Sequence, residues 1–336
     1  MHHPKVAIIV LNWNGKNDTL ECLASIGKMD YPNLDVILVD NGSQDGSVAA
    51  IQREFPEVMI VETESNLGFA SGNNMGIRHA LRNGAEYALV LNNDTIVDPQ
   101  LIKSFLASST IERKAGIFGA KIYYYSQPNK IWYAGGRWVN KLSQFIHVGM
   151  GCLDNGKDFV SVVETDYVCG CAFFIKAEVL RKIGLFDEKF FLTFEETDLC
   201  YRARRAGFKS LFIPDAKVWH KVSVSFGGEG SPLFHYFMTR NILLWAERHL
   251  PLDDKLKLYR NMLKMIAKEV LPPGFRTVIT EKHIRFRSTF EILRKYAEAC
   301  RRKYKDPARK AILIAVRDYL LRRFGNCPES IRSLRK

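Results

Sequence analysis

The 336-residue chain has no apolar run approaching the ~18 residues a bilayer-spanning helix needs. Its first apolar run, Val6 to Leu11, is too short for the core of a signal peptide, so the expected location is the cytosol. It also lacks any C-x-x-C pair. The seven cysteines are odd in number and lie mostly in apolar surroundings, as reduced thiols would. Neither the dinucleotide fingerprint G-x-G-x-x-G nor a Walker P-loop is present, since Gly15-Lys16 is followed by Asn17. A basic surplus is missing from most of the chain. Residues 251–336 hold 23 of the 49 Lys and Arg but only 9 of the 36 Asp and Glu, so this tail carries +14 and the first 250 residues −1. A basic end on a neutral body points to an anionic partner, a membrane surface or a polyanion. The tail does not interleave aromatics with basic residues in a recognisable nucleic-acid motif, which counts against a nucleic-acid partner.

The 47% apolar content is ordinary for a soluble globular chain and allows a sizeable core. Length and charge together suggest one large domain, 1–250, and a basic, mainly helical extension, 251–336. Val6 to Trp13, Val36 to Val39, Met59 to Glu62 and Tyr87 to Leu91 read as buried strands. They alternate with helices marked by Leu20, Leu23 and Ile26, by a segment to about Glu54 that Asp45 or Ser47 can cap, and by Ala70 to Asn83. That alternation predicts an α/β fold with a mostly parallel sheet and right-handed crossovers. The strand ends carry Asn12, Trp13, Asp40, Asn92, Asn93 and Asp94 to one edge, where open parallel sheets bind ligands.

Other stretches have two readings. In NLGFASGNNMG, the glycines at 68, 72 and 76 allow either close approach to a phosphate or tight helix packing, and packing is favoured. Ile117 to Tyr125 and Asp166 to Ile175 read as strands, and Trp132, Tyr133 and Trp138 as core rather than a sugar face. In GLFDEKFFLTFEETDLCYRARRAGF, Glu195, Glu196 and Asp198 open a helix that ends at Gly207. Thr193 and Glu196 fit a capping box there, and acids before bases suit the helix dipole. His220, after Val218-Trp219, is a lone histidine of the kind that is more often structural than ligating. On a helix over 255–270, Lys257, Arg260, Lys264 and Lys268 fall opposite Leu256, Tyr259, Leu263, Ile266 and Val270. That pattern suits a membrane surface or packing on the body equally. Lys310 to Arg323 repeats it less cleanly.

Seven motifs in order, VLNWNG, VDNGSQDGS, NLGFASGNNMG, LNNDTIVDP, the GLFDEKFFLTFEETDLCYRARRAGF run, IPDAKVWH and YFMTRNILLW, resemble the inverting family 2 glycosyltransferases with a GT-A fold. The likeness is to the rhamnosyltransferase-like and galactofuranosyltransferase-like branch, and it runs from Val6 to Leu250. It implies a nucleotide-diphosphate sugar donor, Mn²⁺ or Mg²⁺, and a hydroxyl on a glycan or lipid-linked acceptor. By the same resemblance Asn12 and Trp13 would meet the base and Asp40 the base or ribose. Asn66, Asn92 and Asn93 would add donor contacts, Asp94 and His220 would hold the metal, and Glu196 would be the general base. A lipid-linked acceptor would make peripheral attachment to the inner face of the cell membrane useful. Two departures stand out: Glu195-Glu196 replaces the family's usual Glu-Asp, and the motif at Asn92 lacks a first aspartate. The competing reading is a basic nucleic-acid- or membrane-binding module on a catalytically inactive GT-A scaffold.

Overall fold

The computed structural model describes residues 3–110, 112–222, 230–270, 294 and 306–334. The rest of the extension, including Cys300, lies outside the described residues, as do the side chains of Lys268 and Val270. The chain forms two compact units, Met1–Val222 and Ser223–Lys336.

The first unit is built on one large sheet. Strands β1 (Val6–Asn12), β2 (Leu34–Asp40), β3 (Met59–Glu62) and β4 (Tyr87–Asn92) run parallel in the order 3-2-1-4. Their crossovers are α1 (Lys16–Ile26), α2 (Ser47–Glu54) and α3 (Gly68–Arg82). Helices on both faces explain why Val6 to Val10 is apolar without alternation, and all five side chains are fully buried. Register then fixes the edge: Asn12 lies opposite Asp40, Asp40 opposite Glu62, and Leu11 opposite Asn92. The glycines of α3 serve packing. A methyl on Gly76 would stand 2.5 Å from Ile9 Cγ2, and one on Gly72 2.5 Å from Leu11 Cδ1.

Beyond β4 the sheet becomes mixed. After β5 (Thr95–Val97) and α4 (Leu101–Ser109), β6 (Ala115–Tyr124) takes β7 (Gln127–Tyr133) as an antiparallel partner. Strands β8 (Gly136–Val139) and β9 (Gln144–His147) form a separate ribbon, and β10 (Val163–Glu164) is a short edge strand. Strand β11 (Ala172–Lys176) inserts antiparallel between β4 and β6 and leads through α5 (Ala177–Ile183) to α6 (Glu195–Arg205). Strand β12 (Lys209–His220) lies parallel to β6 and antiparallel to β5, which sets His220 opposite Thr95. The expected α/β architecture with a mostly parallel sheet is the one observed.

Two local expectations are corrected. Residues 166–171 are not strand. That stretch faces α6 instead, with Asp166 Oδ1 accepting from Arg204 at 2.8 Å and the Val168 amide donating to Cys200 Sγ at 3.4 Å. The capping box does not form either. Phe194, not Thr193, is the N-cap of α6, in the left-handed region at φ 71°, and no side chain caps the helix.

The second unit is helical among its described residues, with α7 (Pro232–His249), α8 (Leu252–Val270), α9 (Pro307–Leu320) and α10 (Glu329–Arg332). Ser231 Oγ caps α7 by accepting from the Phe234 amide at 3.1 Å, and Pro232 occupies its first turn. Buried and partly buried polar contacts bind α7 to the end of the chain. Tyr236 donates to Asp318 at 2.9 Å, Arg240 to the Gly325 carbonyl at 2.6 Å, and Tyr319 to Glu247 at 2.7 Å.

Candidate active site

The carboxyl ends of β1 and β2 form a lattice that leaves one aromatic free. Asn12 is completely buried, and its amide donates to Asp40 Oδ1 at 2.8 Å and to Ser43 Oγ at 3.1 Å. Its carbonyl oxygen accepts from the Gly15 amide, Thr19 Oγ1 and Asn93 Nδ2. Asp40 also accepts from the Ser43 amide at 2.9 Å. Asn12, Asp40 and Asn93 are thus spent on holding the loop. Trp13, the next residue, is 53% exposed and presents its ring. Asn66 accepts from Asn41 Nδ2 and from the Gly68 amide, shaping the entry to α3. The Asn92 backbone is engaged on both sides, its amide donating to the Cys171 carbonyl and its carbonyl accepting from Thr95 Oγ1.

Asp94 and His220, separated by 126 positions in sequence, meet because β5 pairs with β12 and the Lys221 amide donates to the Asp94 carbonyl at 2.9 Å. Asp94 Oδ1 and His220 Nε2 stand 3.1 Å apart, both residues being buried. The contact is an ion-pair distance without hydrogen-bond geometry, and Asp94 Oδ1 has no hydrogen-bond partner among the described residues. A bare carboxylate oxygen beside an imidazole nitrogen is a donor set that suits a divalent cation, Mn²⁺ better than Mg²⁺ because of the imidazole. Among the described residues no cluster of three or more His, Cys, Asp and Glu exists, so Asp94 and His220 form a two-group set rather than a closed cage there.

The acidic turn arrives on a strained loop. Phe191, Thr193 and Phe194 all take positive φ, costly for residues with a Cβ. The loop is clamped from both ends. Phe191's carbonyl accepts from the Phe69 amide at 2.7 Å, and Asn74 exchanges side-chain hydrogen bonds with the Phe186 backbone at 2.9 and 3.1 Å. Arg202 binds Asp198 at 2.7 Å together with the carbonyls of Ile183 and Leu185. Asp198 is therefore structural, whereas Glu195 and Glu196 each keep one carboxylate oxygen without a partner among the described residues. Burial raises the pKa of Glu195 well above the ordinary range, and the neighbouring Glu196 charge adds to the rise. Burial raises Glu196 as well, but hydrogen bonds from its own backbone amide and from Glu195 oppose the rise. Two carboxylates this close and this buried do not both ionise readily, and the pair titrates as a unit.

The 170–171 stretch touches both segments: a methyl on Gly170 would stand 3.9 Å from Glu196 Cγ, and the Cys171 carbonyl accepts from the Asn92 amide at 3.0 Å, two residues before Asp94. Burial pushes Cys22 and Cys200 up to about 12, so these thiols stay protonated and are poor nucleophiles.

Three further residues of the site carry no motif. Lys221, next to His220, donates to Asp18 at 2.7 Å and Glu21 at 2.5 Å and ties the end of β12 to α1. Trp132 packs its ring 4.8 Å from the His220 ring, and His147 lies edge-on to Trp132 at 4.6 Å. Burial pulls His147 down to about 4, so it is neutral near pH 7. Of the aromatics expected in the core, Tyr133 is fully buried, while Trp132 and Trp138 are only half-buried.

The family described as "Glycosyltransferase like family 2" matches residues 3–232. The N-acetylglucosaminyl-diphospho-decaprenol L-rhamnosyltransferase of Mycobacterium tuberculosis is 24% identical over 246 residues, 68% of this chain and 79% of its own. The dTDP-rhamnosyl transferase RfbF of Shigella flexneri is 26% identical over 258 residues, 73% of this chain and 81% of its own. Among solved structures, a Pyrobaculum calidifontis mannosyltransferase in complex with GDP-Man and Mn²⁺ is similar at TM-score 0.55 and 16% identity, covering 95% of this chain and 88% of that one. GalNAc-T7 with UDP, GalNAc and Mn²⁺ is similar at TM-score 0.60 and 17% identity, covering 90% and 56%. These likenesses establish a shared fold.

Proposed function

The chain belongs to glycosyltransferase family 2, and from that premise we propose that it is a metal-dependent inverting enzyme acting on a nucleotide-diphosphate sugar. The observation that carries the reading is the pair of bare acid oxygens, Asp94 Oδ1 and Glu196 Oε2, on two segments that both touch the 170–171 stretch.

In this mechanism Trp13 offers its exposed ring to the nucleotide base, and Asn12, Asp40 and Asn93 hold the loop that presents it. Asn66 and Asn92 shape the neighbouring turns of the donor pocket. Asp94 and His220 would hold Mn²⁺ or Mg²⁺, which when bound offsets the negative charge that grows on the departing diphosphate. Glu196 takes the proton from the acceptor hydroxyl as it attacks the anomeric carbon from the opposite side, which inverts the configuration.

Rhamnosyl transfer to a glycan or lipid-linked acceptor is the finer reading that the two relatives support. The structure adds a reason for membrane contact. On α8, Leu256 is 56% and Leu263 66% exposed, and Lys257, Arg260 and Lys264 are exposed with them. No helix among the described residues is long and apolar enough to cross a membrane, so contact would be peripheral.

The test is transfer from dTDP-L-rhamnose and a panel of other nucleotide sugars with Mn²⁺. An inverted anomeric product and loss of activity with chelator support the proposal; a retained configuration, or activity indifferent to chelator, overturns it.

A further inference from the structure

Two buried polar atoms beside the candidate metal ligands have no work inside the protein. Trp132 Nε1, a donor only, and His147 Nδ1 both lack a hydrogen-bond partner among the described residues. A neutral imidazole has one donor and one acceptor nitrogen, so Nδ1 can serve as the acceptor. A buried donor or acceptor left unmade costs about 1–3 kcal/mol, so two on touching rings call for a common explanation.

Their position supplies one. The Trp132 ring lies 4.8 Å from His220, and the His147 ring lies 6.0 Å from Tyr167, whose neighbour Val168 donates its amide to Cys200 Sγ on α6, the helix that Glu195 and Glu196 begin. The pair therefore stands between the ligand that would hold the diphosphate end of a donor and the carboxylate that would act at its far side. A sugar hydroxyl both donates and accepts, and it is the group that a Trp N–H and an imidazole lone pair together satisfy.

We propose that Trp132 and His147 form a hydroxyl-reading subsite for the donor sugar, next to Asp94 and His220. The inference rests on the transferase reading and deepens it by giving sugar selectivity to two residues that no motif marks. The hydroxyl of the sugar receives a hydrogen bond from Trp132 Nε1 and donates one to His147 Nδ1. A sugar without a hydroxyl at that position leaves both atoms bare, which is how such a site rejects it.

The experiment compares binding of dTDP-L-rhamnose, UDP-galactose and GDP-mannose with binding of the parent dTDP, UDP and GDP, each with Mn²⁺, in the full chain and in Trp132→Phe and His147→Phe. The Phe variants keep an aromatic ring in place, and melting temperature with Mn²⁺ and the parent diphosphate reports that the fold is intact. If His147→Phe does not fold, His147→Gln replaces it. The expected result is that each variant loses about threefold to tenfold in affinity for the nucleotide sugar that the wild type prefers, the effect of one net hydrogen bond, while the parent diphosphate changes less than about twofold. Unchanged nucleotide-sugar affinity in both folded variants overturns the subsite and leaves the transferase reading standing. Equal losses for sugar and parent diphosphate also overturn it, because the residues would then act on the metal or the fold. Failure of the wild type to bind any of the six ligands overturns the transferase reading itself and the subsite with it.

Discussion

At the scale of single residues, burial acts on both adjacent glutamates and raises the pKa of each, and the charge of Glu196 raises Glu195 further. Glu196 must be a carboxylate to act as a base, and its pKa is raised, so activity should be lost on acidification at a pH above the ordinary glutamate value of about 4.3. The check is a kcat/KM profile from pH 4 to 8: an acid limb no higher than that of a free carboxylate would contradict the environment described. Glu195 is the reverse case for stability. Its folded pKa lies above its unfolded value, so the stability it contributes is present below the unfolded pKa and is lost as pH rises through the folded one. Glu195→Gln should therefore melt increasingly above the wild type as pH rises, with the gap read by thermal unfolding at pH 5, 7 and 9. The sequence could name both glutamates, but it suggested a capping box with Thr193. Nothing in the letters shows that Phe191, Thr193 and Phe194 bend into positive φ and abolish that cap. His147 was not legible because its ring reaches the site only through the β8–β9 ribbon, whose strands show no pattern of their own.

At the scale of elements, most of the architecture was readable, because β1, β2 and β4 are apolar runs punctuated by polar ends. The 166–171 stretch was not, since its Val168 amide turns to Cys200 Sγ and its Asp166 side chain to Arg204, both on α6, while Tyr167 keeps only an isolated bridge to Gly136. Helix α3 gives the sharpest test of why this frame is so closely built. A methyl at Gly76 would press against Ile9 Cγ2 at 2.5 Å and Val39 Cγ2 at 3.0 Å, both β-branched and buried. Gly76→Ala should cost about 1–3 kcal/mol of unfolding free energy, as overpacking does in a filled core. Urea denaturation measures it, and an unchanged midpoint would mean that α3 is free to slide. Such sliding would reach the acidic turn, because α3 holds that loop through Asn74 and the Phe69 amide.

At the scale of the whole molecule, the division of charge between body and tail was plain from composition, while the partners of α7 were not. That helix pairs with residues far along the chain, Asp318 and Gly325, and no local pattern announces contacts across more than 80 positions. Removing residues 251–336 would strip those partners and leave Arg240 buried without them, so membrane contact is better tested by substitution. Leu256→Glu with Leu263→Glu should reduce sedimentation with anionic liposomes while leaving the melting temperature within a degree or two, since both side chains are more than half exposed. Unchanged sedimentation would remove α8 from any membrane role. The claim on which the enzyme's account depends is that Asp94 and His220 hold one end of the donor while Glu196 works at the other. The most direct measurement is a parallel titration and transfer assay of Glu196→Gln with Mn²⁺ and the preferred nucleotide sugar. The account predicts donor affinity close to that of the wild type and turnover reduced about 10²- to 10⁴-fold. Wild-type turnover, or loss of donor binding in step with turnover, would contradict it.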